Sequence, residues 1–166
     1  MRKALMIAGL ILAVGALAPV GALAKAGGTD RPLKSSGSGT TTFDTSTVPF
    51  PATGEGTARI AHLGKTSYSN DYTITPTGPG TFSIAGTTEF VAANGDRVFA
   101  EFTGSIQVTG PTTSDATADS TITGGTGRFE GASGSFTTTV FTEITSVVGT
   151  TVTADQTLRS RGTISY

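Results

Sequence analysis

Apolar and polar side chains alternate with a period of two along most of the chain. The clearest example runs from Arg97 to Val108, where apolar residues occupy every even position apart from Gly104 and polar residues every odd position apart from Phe99. Because successive side chains of a β-strand point to opposite faces, this pattern predicts strands with one buried face. The same alternation recurs in residues 68–74, 81–90, 116–122 and 152–164.

Short turn signals separate the alternating segments, and no long helical pattern lies between them. Asn94–Gly95 is a strong hairpin signal, because both residues tolerate the backbone of tight turns. Thr, Ser and Gly supply 71 of the 166 residues, a mixture that favours strands and turns over helices. We predict eight strands: Thr40–Thr47, Glu55–His62, Lys65–Thr75, Gly80–Ala92, Asp96–Thr109, Thr117–Thr123, Gly134–Val148 and Thr151–Ser165.

Eight strands with short connections predict an all-β fold built as an antiparallel meander. We expect the meander to form a closed or nearly closed eight-stranded barrel, since closure removes the edges that Thr-rich strands would otherwise expose. A two-sheet β-sandwich is the alternative, because periodicity alone does not reveal closure.

Charged side chains fall on the face opposite the apolar residues, as at Arg59, Asp71, Glu101 and Asp155. A barrel that faces lipid needs an apolar exterior instead, so we predict a water-exposed outer surface and no membrane span in the mature protein. The predicted inward face carries no Asp, Glu, Lys or Arg. General acid–base catalysis needs a titratable group within reach of the substrate, and we therefore lean towards a non-catalytic role.

Residues 1–24 are predicted to be a secretory signal peptide. Arg2 and Lys3 precede an apolar run, and the small residues of Ala22–Ala24 offer a cleavage site. The apolar run is shorter than the about 20 residues of a membrane-spanning helix. We therefore expect a secreted, extracellular protein.

The mature chain is predicted to contain a spacer and one domain. Residues 25–39 are rich in Gly, Ser and charge without periodicity, which favours a flexible linker. Residues 40–166 then form a single barrel domain.

The composition excludes several classes of function. The chain has no Cys, no Trp, one His and a formal net charge of -1. The lack of Cys removes disulfides, thiol catalysis and Cys-based zinc sites, and a single His does not suit a metal site. A charge balance near zero does not suit a surface that follows nucleic-acid phosphates. We therefore expect no cofactor, no bound metal and no nucleic-acid partner.

Three short patches give the chain a resemblance to a known group of proteins. Gly124–Gly134 reads GGTGRFEGASG, Ala61–Lys65 reads AHLGK, and Gly162–Tyr166 reads GTISY. Together they resemble the allene oxide cyclase and dirigent-like barrel superfamily, especially its small secreted bacterial members. The resemblance implies an eight-stranded antiparallel barrel with a central cavity, in which the plant members act on, or orient, small apolar substrates.

The glycine-rich segment Gly124–Gly134 is expected to have a structural role. Its glycines permit a tight reversal of the chain, and Phe129 is predicted to plug one end of the barrel. A phosphate-binding loop is the alternative, but it needs a helix directly after the loop, whereas Ser135–Ile144 reads as a strand.

His62 is the first candidate for ligand binding. It shares a predicted face with Ala58 and Ile60, where it could orient a ligand at the cavity rim. Alternatively, its ring nitrogens are satisfied by backbone groups at a strand end.

Tyr68, Asn70, Tyr72 and Gln156 are the other candidate ligand-binding residues. The first three recur at period two and would line one face in a row. On the inward face they could hydrogen-bond a small ligand, or they could simply fill the interior of a small barrel.

The sequence therefore leaves three functions open. The first is a secreted barrel that binds a small apolar ligand in its cavity, and the second is a structural or cell-surface module with a filled barrel. The third, weaker alternative is a cyclase-like or isomerase-like enzyme that uses His62. A cavity of at least about 300 Å³ favours ligand binding, whereas a filled interior favours the structural role. No feature of the pattern favours or opposes self-association.

Cleavage of the signal peptide can be measured directly. We expect intact-mass spectrometry of the protein recovered from its secretion medium to give the mass of residues 25–166, with Lys25 as the new amino terminus. Recovery of a chain that still carries residues 1–24 would contradict the predicted cleavage.

Overall fold

A computed structural model describes residues 28–166. They form eight strands and a short 3₁₀-helix at Gly127–Phe129. The strands are β1 (Arg31–Asp44), β2 (Phe50–Ile60), β3 (Gly64–Gly78), β4 (Thr81–Ala92), β5 (Arg97–Val108), β6 (Thr113–Gly125), β7 (Ser133–Val148) and β8 (Thr151–Ser165). The predicted signal peptide and residues 25–27 lie outside the described residues.

The strands form a closed antiparallel barrel in chain order. β8 pairs with β1 over its whole length, from Arg31 opposite Ile164 to Asp44 opposite Thr151. The predicted all-β barrel is therefore confirmed, and the two-sheet alternative is wrong.

The first strand is longer than its sequence pattern suggests. β1 begins at Arg31, so residues 31–39, which we expected to belong to a flexible linker, are part of the barrel wall. Gly37 and Gly39 occupy inward positions of this strand, each opposite a small residue of β2. The pattern was missed because the inward side chains here are too small to give an apolar signal, while backbone pairing on both sides holds the strand in place.

The barrel has two unlike ends. Three connections, β2–β3, β4–β5 and β6–β7, lie at one end together with the start of β1 and the end of β8. We call this the closed end and the opposite one the open end. A large core cluster fills the closed end, and a smaller cluster around Ala52, Ile74, Ile84 and Ala118 lies nearer the open end.

The closed end is plugged by Phe129, as the sequence predicted. Its side chain is fully buried (0 % exposed), and its ring meets that of Tyr166 edge-on with centroids 4.8 Å apart. Leu63 and Ile164 belong to the same cluster. The three patches that carry the family resemblance therefore meet at one place, the plug.

The glycine-rich segment reverses the chain rather than cradling a phosphate. Gly127 has φ 60°, and a Cβ at this position would collide with the Asp96 carboxylate, which lies 3.6 Å from the Arg128 guanidinium. The segment leads into strand β7 and not into a helix. The phosphate-loop alternative is therefore wrong.

The outer surface of the barrel is polar, and its charged side chains alternate with the buried positions of each strand. Within residues 28–166, no helix has the length and hydropathy needed to cross a membrane.

The plug is expected to dominate the stability of the closed end. Replacing Phe129 with Ala would leave a cavity in a fully buried site and should reduce the free energy of unfolding by about 3–5 kcal/mol. Denaturant unfolding of the mature protein measures this change.

Phe141 provides the matched control, because its side chain is 47 % exposed on β7. Phe141→Ala should change the free energy of unfolding by less than about 0.5 kcal/mol. Equal effects of the two substitutions would show that Phe129 is not a plug.

Candidate functional site

A cavity of about 100 Å³ lies inside the barrel. Its polar lining includes Tyr68, Asn70, Tyr72 and Gln156, so the structure brings together four of the five residues that we proposed for ligand binding. They meet because each occupies an even, inward position on β3 or β8.

A second cavity of about 180 Å³ lies at the open end. Its walls include the rings of Phe43, Phe50 and Phe82, and residues 110–112 of the β5–β6 connection also line it. Tyr72, Ile106, Thr142 and Gln156 line both cavities. The two cavities therefore adjoin each other, and these four side chains lie between them.

Tyr72 stands at the junction of the two cavities and is held there by a hydrogen bond. Its hydroxyl lies 2.6 Å from Thr41 Oγ1, and Thr41 donates its own hydroxyl proton to the carbonyl of Thr53 at 2.9 Å. Tyr72 is therefore the donor to Thr41. Burial raises the pKa of Tyr72, which keeps the phenol protonated in its donor role.

Tyr68 is buried against a wall of glycines. A Cβ on Gly39 or Gly56 would collide with its hydroxyl, so these two positions on β1 and β2 provide the space that the phenol occupies. The Tyr68 hydroxyl is buried and has no hydrogen-bond partner among the described residues. Burial raises the pKa of Tyr68 to about 12. An unpaired buried donor costs free energy, and an acceptor that reached the hydroxyl from the inner cavity, which the Tyr68 side chain lines, would remove this cost.

Four of the other polar side chains around the inner cavity are hydrogen-bonded in two pairs. Thr88 donates to the side-chain oxygen of Asn70 at 2.8 Å, and the hydroxyls of Thr138 and Ser160 lie 2.9 Å apart. The lining of both cavities contains no charged side chain within residues 28–166. Both cavities are therefore neutral, with hydroxyl and amide groups as their polar atoms.

His62 is not brought to this site. It lies exposed in the β2–β3 turn with φ 71°, and its Nε2 is 3.2 Å from the carbonyl oxygen of Pro32. The backbone contact expected in the alternative interpretation of His62 is present. The strand ends at Ile60, so the face that His62 was expected to share with Ala58 does not continue to residue 62.

Sequence reasoning missed three residues of the open-end cavity: Thr41, Phe43 and Phe50. Thr41 and Phe43 alternate inward on β1. Both lay inside the predicted strand Thr40–Thr47, but the Thr-rich sequence there does not show which face is inward. Phe50 begins β2, five residues before the predicted start at Glu55. An aromatic residue just before a predicted strand was the available signal.

The raised pKa of Tyr68 predicts a loss of stability in alkali. An unfolded tyrosine ionises near pH 10, whereas folded Tyr68 ionises at about 12, so its contribution is present below pH 10 and is lost as the pH rises from 10 to 12. The free energy of unfolding should fall in this range by about 1–2 kcal/mol more in the wild type than in Tyr68→Phe, after allowance for solvent screening.

The same substitution is informative at neutral pH. Tyr68→Phe removes a hydroxyl that has no partner and should leave stability unchanged or slightly raised, whereas Tyr72→Phe removes the bond to Thr41 and should cost about 1 kcal/mol. Equal losses in the two variants would indicate that Tyr68 does have a hydrogen-bond partner.

Comparison with known proteins gives little beyond these observations. No protein-family model and no curated protein matches the chain. Among solved structures the chain is similar to a pterocarpan synthase dirigent protein, with 13 % sequence identity and a TM-score of 0.43. The alignment covers 82 % of this chain and 86 % of that one.

Proposed function

We propose that the barrel binds a small, narrow, apolar molecule that enters from the open end. The observation that carries this proposal is the pair of adjoining, uncharged cavities at the open end and inside the barrel. We also propose that binding takes place outside the cell, after removal of residues 1–24.

The walls of the two cavities favour an apolar ligand. At the open end, the rings of Phe50 and Phe82 lie with centroids 6.4 Å apart, and deeper in the barrel Tyr72 and Phe102 lie 5.9 Å apart. A charged ligand would leave its charge unpaired in this neutral lining, at a cost of several kcal/mol. An apolar chain instead gains the free energy of burial.

One hydrogen-bond acceptor on the ligand would fit the inner cavity. Tyr68 supplies the buried donor that lacks a partner, whereas the side chains of Asn70, Thr138 and Ser160 already bond to neighbours. We infer a ligand with a carbonyl or ether oxygen at its inner end and an apolar remainder.

The volumes limit the size of this ligand. At about 100 and 180 Å³, neither cavity reaches the about 300 Å³ of typical small-molecule sites. A narrow chain therefore fits better than a fused ring system. To occupy both cavities, one molecule would have to displace Tyr72 or Gln156 at their junction.

The same small volumes favour a second candidate function, a structural or cell-surface module with a largely filled barrel. In this case Tyr68 and Tyr72 act as filling residues. The enzymatic alternative depended on His62, which lines neither cavity, and we make no catalytic proposal.

Titration with 2-octanone, a narrow apolar molecule with one acceptor, tests ligand binding. Calorimetry should detect binding to the mature protein, and Ala118→Leu, which fills the inner cavity, should weaken it by at least about tenfold. Tyr68→Phe should weaken it about threefold to tenfold, the value of one hydrogen bond. Thr117→Leu on the outer face is the matched control and should have no effect.

A barrel that binds neither 2-octanone nor a co-purified molecule in native mass spectrometry would support the structural module instead. Binding that survives Ala118→Leu unchanged would show that the inner cavity is not the site.

A further inference from the structure

The basic side chains of the barrel are gathered near one end. All eight Lys and Arg residues of the described region lie in the closed-end half of the barrel: Arg31, Lys34, Arg59, Lys65, Arg97, Arg128, Arg159 and Arg161. Acidic residues, in contrast, occur along the whole length. Such a one-sided distribution gives the outer surface a defined basic region.

Five of these residues form one continuous surface on the neighbouring strands β8, β1, β2 and β3. Lys34 lies directly opposite Arg161, and Arg59 lies directly opposite Lys65. Arg159 is in register with Ser36, which is in turn opposite Arg59. All five side chains are exposed. With strands about 4.8 Å apart, the five charges span about 15 Å, and we call this surface the basic face.

The basic face has no internal counter-charge. The ion pairs among residues 28–166 join Arg97 to Glu89 and Arg128 to Asp96, and neither involves the basic face. Residues 1–27 contain no Asp or Glu. The nearest acidic residue in register is Asp119 on β6, two strands from Arg161 and about 10 Å away, and its carboxylate accepts a hydrogen bond from Thr137. Asp155 lies four residues from Arg159 on β8, which is about 13 Å along the strand. Both distances exceed the screening length of about 8 Å at physiological salt.

This arrangement works against folding stability. Like charges that lie directly opposite each other on a sheet repel and destabilise it, and the basic face contains two such pairs, Lys34 with Arg161 and Arg59 with Lys65. The basic face lowers folding stability and has no ion-pair partner within the chain. This combination indicates that an external anionic molecule binds it.

An open groove of about 740 Å³ adjoins the basic face. Lys34 and Arg59 line it from the barrel wall, while His62 and Arg128 line it from the connections of the closed end. The groove extends the cationic surface beyond the strands, so an elongated partner could contact both.

We propose that the basic face binds a linear anionic polysaccharide, a chain that carries carboxylate or sulfate groups at short intervals. Arginine, which supplies three of the five cations, pairs with such groups through two parallel hydrogen bonds. The adjacent row on the same strands consists of hydroxyl side chains, Thr157, Ser38, Thr57 and Ser67. These can hydrogen-bond the sugar hydroxyls between the charges.

The surroundings of the basic face favour a polysaccharide over a lipid surface. Proteins that dock on anionic membranes place apolar side chains among their cations. Four of the exposed large apolar residues, Val48, Val108, Val147 and Val148, instead belong to the open-end half of the barrel. The fifth, Phe141, lies on β7, outside the four strands of the basic face.

The test compares two variants of the mature protein with equal net charge. Arg59→Gln removes one cation of the basic face, whereas Arg97→Gln removes one cation that lies outside the basic face and its groove and is paired with Glu89. Affinity for heparin and for polygalacturonate is measured against salt, with neutral dextran as the control polymer. The first variant should bind at least about threefold more weakly, and its slope of log affinity against log salt should fall by about one. The second should change less than twofold.

Three outcomes would overturn the proposal. The first is equal polysaccharide binding by both variants. The second is binding to phosphatidylglycerol vesicles without binding to either polysaccharide. The third is a salt-dependent dimer, detected by sedimentation, that forms through the basic face. Absence of binding to both polysaccharides at low salt would also exclude it.

A stability measurement gives a second test. Lys65→Thr removes one like-charge pair and should raise the melting temperature by about 1–3 °C while it weakens heparin binding. A fall in melting temperature would show that Lys65 has a stabilising role within the barrel.

Discussion

The pairing of the first strand with the last is the constraint on which the rest of this molecule depends. The chain is 36 % hydrophobic, and much of its inward surface is Gly, Ala, Ser or Thr, so side-chain burial alone offers limited stabilisation. A closed barrel gives every strand two hydrogen-bonded neighbours and leaves no edge exposed. The seam between β1 and β8 completes this arrangement, and it also fixes how little space remains inside.

Closure with eight strands fixes the diameter of the barrel. The inward side chains and the cavities must therefore share a limited interior volume. Gly39 and Gly56 on the neighbouring strands β1 and β2 leave room for the Tyr68 side chain along the inner wall, and the phenol occupies volume that a larger ligand would need. The plug at Phe129 closes one end, so any access is from the other. The site is therefore narrow, neutral and reached from one side, and each of these properties follows from the distribution of small and aromatic residues around the wall.

The period-two pattern predicted the fold and much of the site, because every second residue of a barrel strand points inward. Tyr68, Asn70, Tyr72 and Gln156 were found in this way. The start of β1 was not found in this way, because Gly37 and Gly39 leave no apolar signal. Their strand is specified instead by pairing with residues far along the chain. The same rule misplaced His62, because the alternation of inward and outward side chains stops where β2 ends and the turn with the left-handed residue His62 begins.

The family resemblance lay in patches that meet at the plug. Those patches therefore report how the barrel is closed and carry no information about what it holds.

The seam has a consequence for the order of events during synthesis. Arg31 and Ile164 are partners that stand near opposite ends of the chain, so the wall cannot be completed until β8 has been made. Until then β1 and the growing edge of the sheet have free backbone groups, and pairing over such a separation is slow compared with hairpin formation. A chain that is still emerging from a ribosome, or still passing through a narrow translocation pore, therefore remains an open sheet.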